Sequence, residues 1–151
     1  MILKDSIWIN APPERVWQYL EDPERMKLWN PKIKAVAPVS WGQRCKGFRY
    51  RVTYVMGGKE NELSAEIEEY QPPTKLVIRH TGERLPPGEH AEECYDLSRE
   101  HGGTALTQTI RLPNAGINLF FRLLIAFVTR FGAPMGKKYL TILKGLVEGD
   151  A

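Results

Sequence analysis

The chain has 151 residues, of which 42% are hydrophobic and 26% charged. That is the make-up of one ordinary globular domain, large enough to bury a core without disulfide or metal staples, and not of a disordered or fibrous chain. Its 21 basic residues are interleaved with 18 acidic ones for a net charge of +3, so no basic stripe marks a nucleic-acid-binding surface.

The first predicted element is a short strand from Leu3 to Asn10, in which Ile7 and Ile9 alternate with Ser6, Trp8 and Asn10. Ala11-Pro12-Pro13 ends it. Pro13 suits the first position of a helix, where a missing N–H is harmless, and Glu14 suits the positive end of the helix dipole. Val16, Trp17 and Leu20 give that short helix one apolar face. After Asp22-Pro23 a second short helix is predicted from Glu24 to Leu28, closed by Trp29-Asn30-Pro31. Trp17 and Trp29 are expected to pin the two helices onto the rest of the core.

From Ile33 to Leu112 the texture is that of strands. Tyr50, Val52 and Tyr54 alternate with Arg49, Arg51 and Thr53, and Gly57-Gly58 supplies a hairpin turn. Leu63, Ala65 and Ile67 alternate with Glu62, Ser64, Glu66 and Glu68, which predicts one buried and one solvated face. Further strands are expected at Lys75 to Thr81, Glu89 to Ser98 and Thr104 to Leu112, separated by Pro-rich or Gly-rich turns, the last at Gly102-Gly103. Five or six antiparallel strands in sequence make a meander.

A long helical stretch is predicted from Ile117 to about Val147, with a kink or break at Gly132-Ala133-Pro134. Its apolar run, Ile117 to Phe131, is interrupted by Asn118, Arg122 and Arg130 and is shorter than the roughly 20 residues of a membrane span. It therefore reads as a core-facing helix, although two arginines flanking an apolar face also allow peripheral contact with an anionic lipid surface. Cys45 and Cys94 stand in no metal or redox spacing and Lys4 and Asp5 follow the start at once, so a reduced, cytoplasmic protein is expected.

A twisted antiparallel sheet with one helix across it leaves a gap, filled by side chains or by a ligand. The stretch Ile7-Trp8-Ile9-Asn10-Ala11-Pro12-Pro13-Glu14-Arg15-Val16-Trp17, then Asp22-Pro23 and Trp29-Asn30-Pro31, resembles the opening of the SRPBCC (START-like) superfamily, in its polyketide cyclase/dehydrase and lipid-transport branch. Tyr70-Gln71-Pro72-Pro73 before Leu76-Val77-Ile78, Gly102-Gly103-Thr104 and the closing Leu143-Lys144-Gly145-Leu146-Val147-Glu148 extend the resemblance over the whole chain. It implies a single α+β helix-grip domain: a curved antiparallel sheet of six to seven strands wrapped around a long C-terminal helix, with two short helices after the first strand. That order agrees with the elements read above.

If Leu76, Ile78, Tyr95, Leu97, Leu106 and Ile110 point inward, alternation carries His80, Glu93 and Gln108 inward with them. These three, with Tyr50 and Tyr54, are the candidates for orienting a ligand, and Ile67, Ile78, Tyr95, Phe120, Leu124, Phe127 and Phe131 are expected to line its apolar surroundings. His80 and Glu93 are the residue types of a general acid/base pair for a cyclisation or dehydration next to a carbonyl, unless His80 is simply solvated at a strand end. His90, Glu92 and Cys94 alternate on one strand, but on the outer face with no second cluster, so no metal site is expected. No nucleophile elbow, phosphate loop or dinucleotide glycine pattern is present, and no cofactor is expected. Three readings follow: a binder or carrier of a small hydrophobic ligand (lipid, isoprenoid or aromatic polyketide), a cyclase/dehydratase using His80 and Glu93, or a protein-interaction module of the co-chaperone or ribosome-associated kind.

Overall fold

The computed structural model describes residues 1–56, 58–83, 85–113 and 135–149. Among them the order is β1 (Ile2–Ile9), α1 (Pro13–Glu21), α2 (Pro23–Trp29), β2 (Ile33–Pro38), β3 (Arg49–Met56), β4 (Lys59–Gln71), β5 (Lys75–Thr81), β6 (Ala91–Glu100), β7 (Gly103–Arg111) and α3 (Met135–Gly149). The strands form one seven-stranded antiparallel sheet in the order β1-β7-β6-β5-β4-β3-β2. Six of the seven are a sequential meander, and β1 joins it by pairing with β7. This is the expected α+β arrangement. The expected helical stretch ahead of Pro134, with its break, lies outside the described residues.

The helices form where their sequences favour them. Pro13 opens α1, and Val16, Trp17, Tyr19 and Leu20 are among its buried side chains. Asp22 caps α2 by accepting from the Glu24 N–H at 3.0 Å, and Pro23 occupies the first position. Trp29 ends α2 fully buried, its indole N–H donating to the Tyr19 carbonyl at 3.0 Å, so the two short helices are tied to each other. The second helix thus runs one residue further at each end than the sequence reading, because both ends are held by these bonds.

Leu140, Leu143 and Val147 of α3 have no solvent exposure and pack the helix chiefly against β1. Around that seam Lys144 donates to the Trp8 carbonyl at 2.7 Å, and Glu148 accepts from the Asn10 N–H at 2.9 Å.

Two details correct the sequence reading. The β6–β7 turn is made by His101 and Gly102, both at positive φ (49° and 76°), while Gly103 already belongs to β7 opposite Glu100. A two-residue turn with both positions left-handed matches the twist of the flanking strands. Gly103 is needed for space instead: a Cβ there would lie 2.3 Å from the Ile9 carbonyl oxygen and 2.8 Å from the Trp8 ring. Gly103→Ala is therefore expected to cost roughly 1–3 kcal/mol by forcing β1 away from the turn; an unchanged urea midpoint would show that β1 yields freely.

The second correction concerns β6, which begins at Ala91, so His90 lies outside the strand and is not in line with Glu92 and Cys94. Cys94, although on the outer face, is buried.

Candidate functional site

The sheet presents one face to the core, and its register decides what stands there. Tyr95 faces Leu76 on one side and Gln108 on the other; Glu93 faces Ile78 and Ile110; His80 faces Ala91 and Ala65. The pairing of β5 with β6 and of β6 with β7 is unbroken, so alternation holds across the centre of the sheet. Register shifts occur in β4 next to Ile67, between Ile67 and Glu69, and in β2 between Ile33 and Ala35, away from His80, Glu93 and Gln108. The expected inward placement of His80, Glu93 and Gln108 is what the strands produce: the three are 6%, 9% and 5% exposed, close to the apolar residues beside them.

These side chains form a connected polar cluster. Glu93 Oε1 accepts from Gln108 Nε2 at 2.7 Å and from the Tyr95 hydroxyl, and Glu93 Oε2 lies 3.3 Å from His80 Nε2. Gln108 Nε2 also reaches the Tyr95 hydroxyl oxygen at 3.2 Å. The His80 ring is met edge-on by Tyr54, with centroids 6.2 Å apart. Among the described residues its buried Nδ1 meets no hydrogen-bond partner.

Burial alone would raise the Glu93 pKa, but the hydrogen bond and charge of His80, followed by the Tyr95 and Gln108 bonds, more than offset it. The net direction is below the ordinary 4.5, which keeps a carboxylate in the core. Tyr50, Tyr54 and Tyr95 are pushed upward, first by burial and then by the Glu93 charge, so all three remain neutral phenols able to donate. Among the described residues no Lys or Arg forms an ion pair with Glu93; its only such partner is His80.

Of the other sequence candidates, Tyr50, Ile67 and Ile78 are buried in the same core, and Tyr54 is half-buried at its edge. Phe120, Leu124, Phe127 and Phe131 lie outside the described residues. Trp17 and Trp29 are both buried in the core: Trp29 stacks edge-on against Tyr95 and Trp17 against Tyr70. One residue of this face was missed. Asp5 on β1 stands opposite Gln108, and its buried Oδ2 has no hydrogen-bond partner among the described residues. The alternation that turned Ile7 and Ile9 inward gives Asp5 the same direction, and a carboxyl in an apolar row was the available signal.

The opposite face of the sheet carries a charged depression of about 500 Å³. Its rim ions pair with one another: Lys75 with Glu69 at 3.2 Å, and Arg111 with Glu92. Burial, followed by the nearby Asp96, raises the Cys94 thiol to about 11, which leaves it protonated and poorly nucleophilic. Among the described residues no three His, Cys, Asp or Glu side chains converge as metal ligands, and no helix is long and apolar enough to cross a membrane.

A mixed polar cluster thus stands in the apolar face of a seven-stranded antiparallel sheet flanked by helices, an α+β arrangement. The sequence matches, over residues 2–148, the family described as polyketide cyclase / dehydrase and lipid transport, and the chain belongs to that family. A comparison with curated proteins gives no match. Among solved structures, TTHA0849 from Thermus thermophilus is similar to this chain with a TM-score of 0.77 at 21% identity, covering 100% of this chain and 99% of that one. CV1439 from Chromobacterium violaceum gives 0.71 at 19%, covering 97% and 96%. Ara h 8.0201 gives 0.66 at 16%, covering 99% and 98%. At these identities the likeness establishes the helix-grip fold.

Proposed function

We propose that the protein binds a small hydrophobic molecule (a lipid, isoprenoid or aromatic polyketide) in a cavity on the core side of the sheet, with the ligand's polar end at the His80–Glu93 cluster. The observation that carries this reading is the cluster itself. A buried carboxylate costs several kcal/mol to desolvate, and a domain built only for stability does as well with apolar residues there. Family membership supports small-ligand binding in general. Burial of the ligand's apolar surface supplies the affinity, and the cluster with Tyr50 and Tyr54 sets its orientation. The two free cysteines, Cys45 exposed and Cys94 buried, suit a reducing compartment, and we place the protein in the cytoplasm on that ground.

A second reading rests on the His80–Glu93 pair. A carboxylate that orients an imidazole by one nitrogen leaves the other for proton transfer to or from a bound carbonyl compound, as a cyclase or dehydratase requires.

Native mass spectrometry of gently purified protein, with analysis of an organic extract, tests the first reading. A stoichiometric apolar adduct is expected. A clean apo mass, unshifted by a panel of lipids and aromatic polyketides, would overturn it. If the adduct is turned over and His80→Gln abolishes turnover while retaining binding, the second reading takes precedence.

A further inference from the structure

The edge of the sheet formed by β2 carries an apolar surface that the core face does not use. Ala35, Ala37, Pro38 and Val39 are exposed along that edge and the loop after it, and they lead to Trp41, whose side chain is 88% exposed. The other three tryptophans are far less so: Trp17 and Trp29 are buried, and Trp8 is 38% exposed. An isolated apolar residue at the surface is ordinary, whereas a continuous run that ends in an indole marks a contact surface.

The loop that carries Trp41 is tied down on both sides. The Val39 and Ser40 N–H groups donate to the Arg49 carbonyl at 3.0 and 2.9 Å, and the Arg49 N–H donates back to the Ser40 hydroxyl oxygen at 2.9 Å. Further on, the Gly47 N–H donates to the Ile67 carbonyl at 2.8 Å. Between these anchors Arg44 pairs with Asp22 at 3.0 Å and lies over the Phe48 ring. The loop thus holds an indole in solvent, where it adds nothing to the core.

Charge selects the occupant. Between Glu24 and Glu60 the chain has no acidic residue, and Lys34 and Lys46 flank the apolar run. Lys46 is exposed and forms no ion pair among the described residues. The acids of β4 that share the outer depression with it are matched by other cations, Glu66 by Arg49 at 3.0 Å and Glu68 by Arg79 at 3.1 Å. Lys34 pairs with Glu60, but both side chains are more than half exposed, where such a pair contributes little. An indole and small apolar groups beside ammonium groups are the complement of a bilayer surface that contains anionic lipid. Strand addition by a second copy is opposed on the same edge, because Pro38 has no N–H to donate and the β2 register shifts between Ile33 and Ala35.

We infer that the β2 edge and the 39–47 loop dock the protein reversibly on a membrane surface rich in anionic lipid. Trp41 and Val39 enter the headgroup region, and Lys46 and Lys34 lie against its anionic groups. This surface is separate from the core face, and its role does not depend on what that face binds.

Vesicle co-sedimentation of the full chain tests the inference. The vesicles are phosphatidylcholine alone, or phosphatidylcholine with phosphatidylglycerol at about one lipid in three. Binding to the anionic vesicles is expected to be at least about tenfold tighter, with the difference closing in high salt. Trp41→Ala should weaken that binding about tenfold and Lys46→Ala about fivefold. Both side chains are exposed and outside the core, so the circular dichroism of the variants should match the wild type. Brominated phosphatidylcholine in the anionic vesicles should quench the tryptophan fluorescence of the wild type more strongly than that of Trp41→Phe. Failure to bind anionic vesicles, equal binding to both compositions, or binding that neither substitution weakens would each overturn the inference. So would a dimer in analytical ultracentrifugation that Trp41→Ala returns to monomer, since the surface would then belong to a second copy. Vesicle binding lost in the two variants, in a protein that yields no apolar adduct, would uphold the docking surface and remove only the cavity reading.

Discussion

Glu93→Ala is expected to destabilise the protein by about 3–5 kcal/mol, because it removes the shared acceptor of a buried cluster and leaves its donors behind. The Tyr95 hydroxyl and the His80 Nε2–H lose their acceptor in a region without solvent, the Gln108 amide is left with the Tyr95 hydroxyl oxygen, and each unmet donor costs about 1–3 kcal/mol. Glu93→Gln keeps the shape and one acceptor oxygen, so a smaller loss is expected, about 1–3 kcal/mol. The two variants also differ from the wild type in pH dependence. The folded-state pKa of Glu93 lies below the ordinary 4.5, so just below pH 4.5 the unfolded chain holds a proton that the folded chain does not. Stability contributed by this group is therefore complete above that pH and is lost as pH falls through the folded value. Urea unfolding of the wild type between neutral pH and about pH 3 should show this acid loss, and Glu93→Gln should show less of it. Equal acid slopes in the two proteins would mean that Glu93 enters the fold already protonated.

The second large effect is expected at Trp29. Its side chain is 1% exposed, its ring lies edge-on to Tyr95 with centroids 6.2 Å apart, and its N–H is bonded to the Tyr19 carbonyl. Trp29→Ala opens a cavity between α2 and the sheet and should cost about 3–5 kcal/mol. Trp29→Phe refills most of that space and forfeits the hydrogen bond, for a loss of about 1–2 kcal/mol. Chemical denaturation of both variants checks the order. A small loss in the alanine variant would mean that α2 collapses inward to fill the gap, and that the short helices are less firmly fixed than the buried indole implies.

Much of the sheet was legible because charged and apolar residues alternate without interruption. Glu62, Ser64, Glu66 and Glu68 fix the phase of Leu63, Ala65 and Ile67, and Leu76 and Ile78 fix that of His80. The facing of the candidate site followed from phase alone. The contacts within it did not. His80 and Glu93 meet because Ile78, not His80, lies directly opposite Glu93, and the nine residues between Thr81 and Ala91 specify no such register. The β6–β7 turn was misplaced by one residue because a Gly-Gly pair allows two phases, and the structure selects His101-Gly102 to bring Gly103 against Ile9. The burial of Cys94 was hidden for another reason. An outer-face position is solvated only if its neighbours are short, and here Lys75 and Arg111 flank it in the charged depression.

The pairing of β1 with β7 has a kinetic consequence. Strands β2 to β7 zip to their neighbours in sequence, whereas Ile2 aligns with Arg111 and Ile9 with Thr104. Closing a loop of that span carries a larger entropic cost before any contact repays it, and contact order of this kind slows folding. Because α3 packs chiefly on β1, the helix has no finished platform until that late closure occurs. The β1 edge of the core face would then be covered late, once the two most distant strands of the sheet have met.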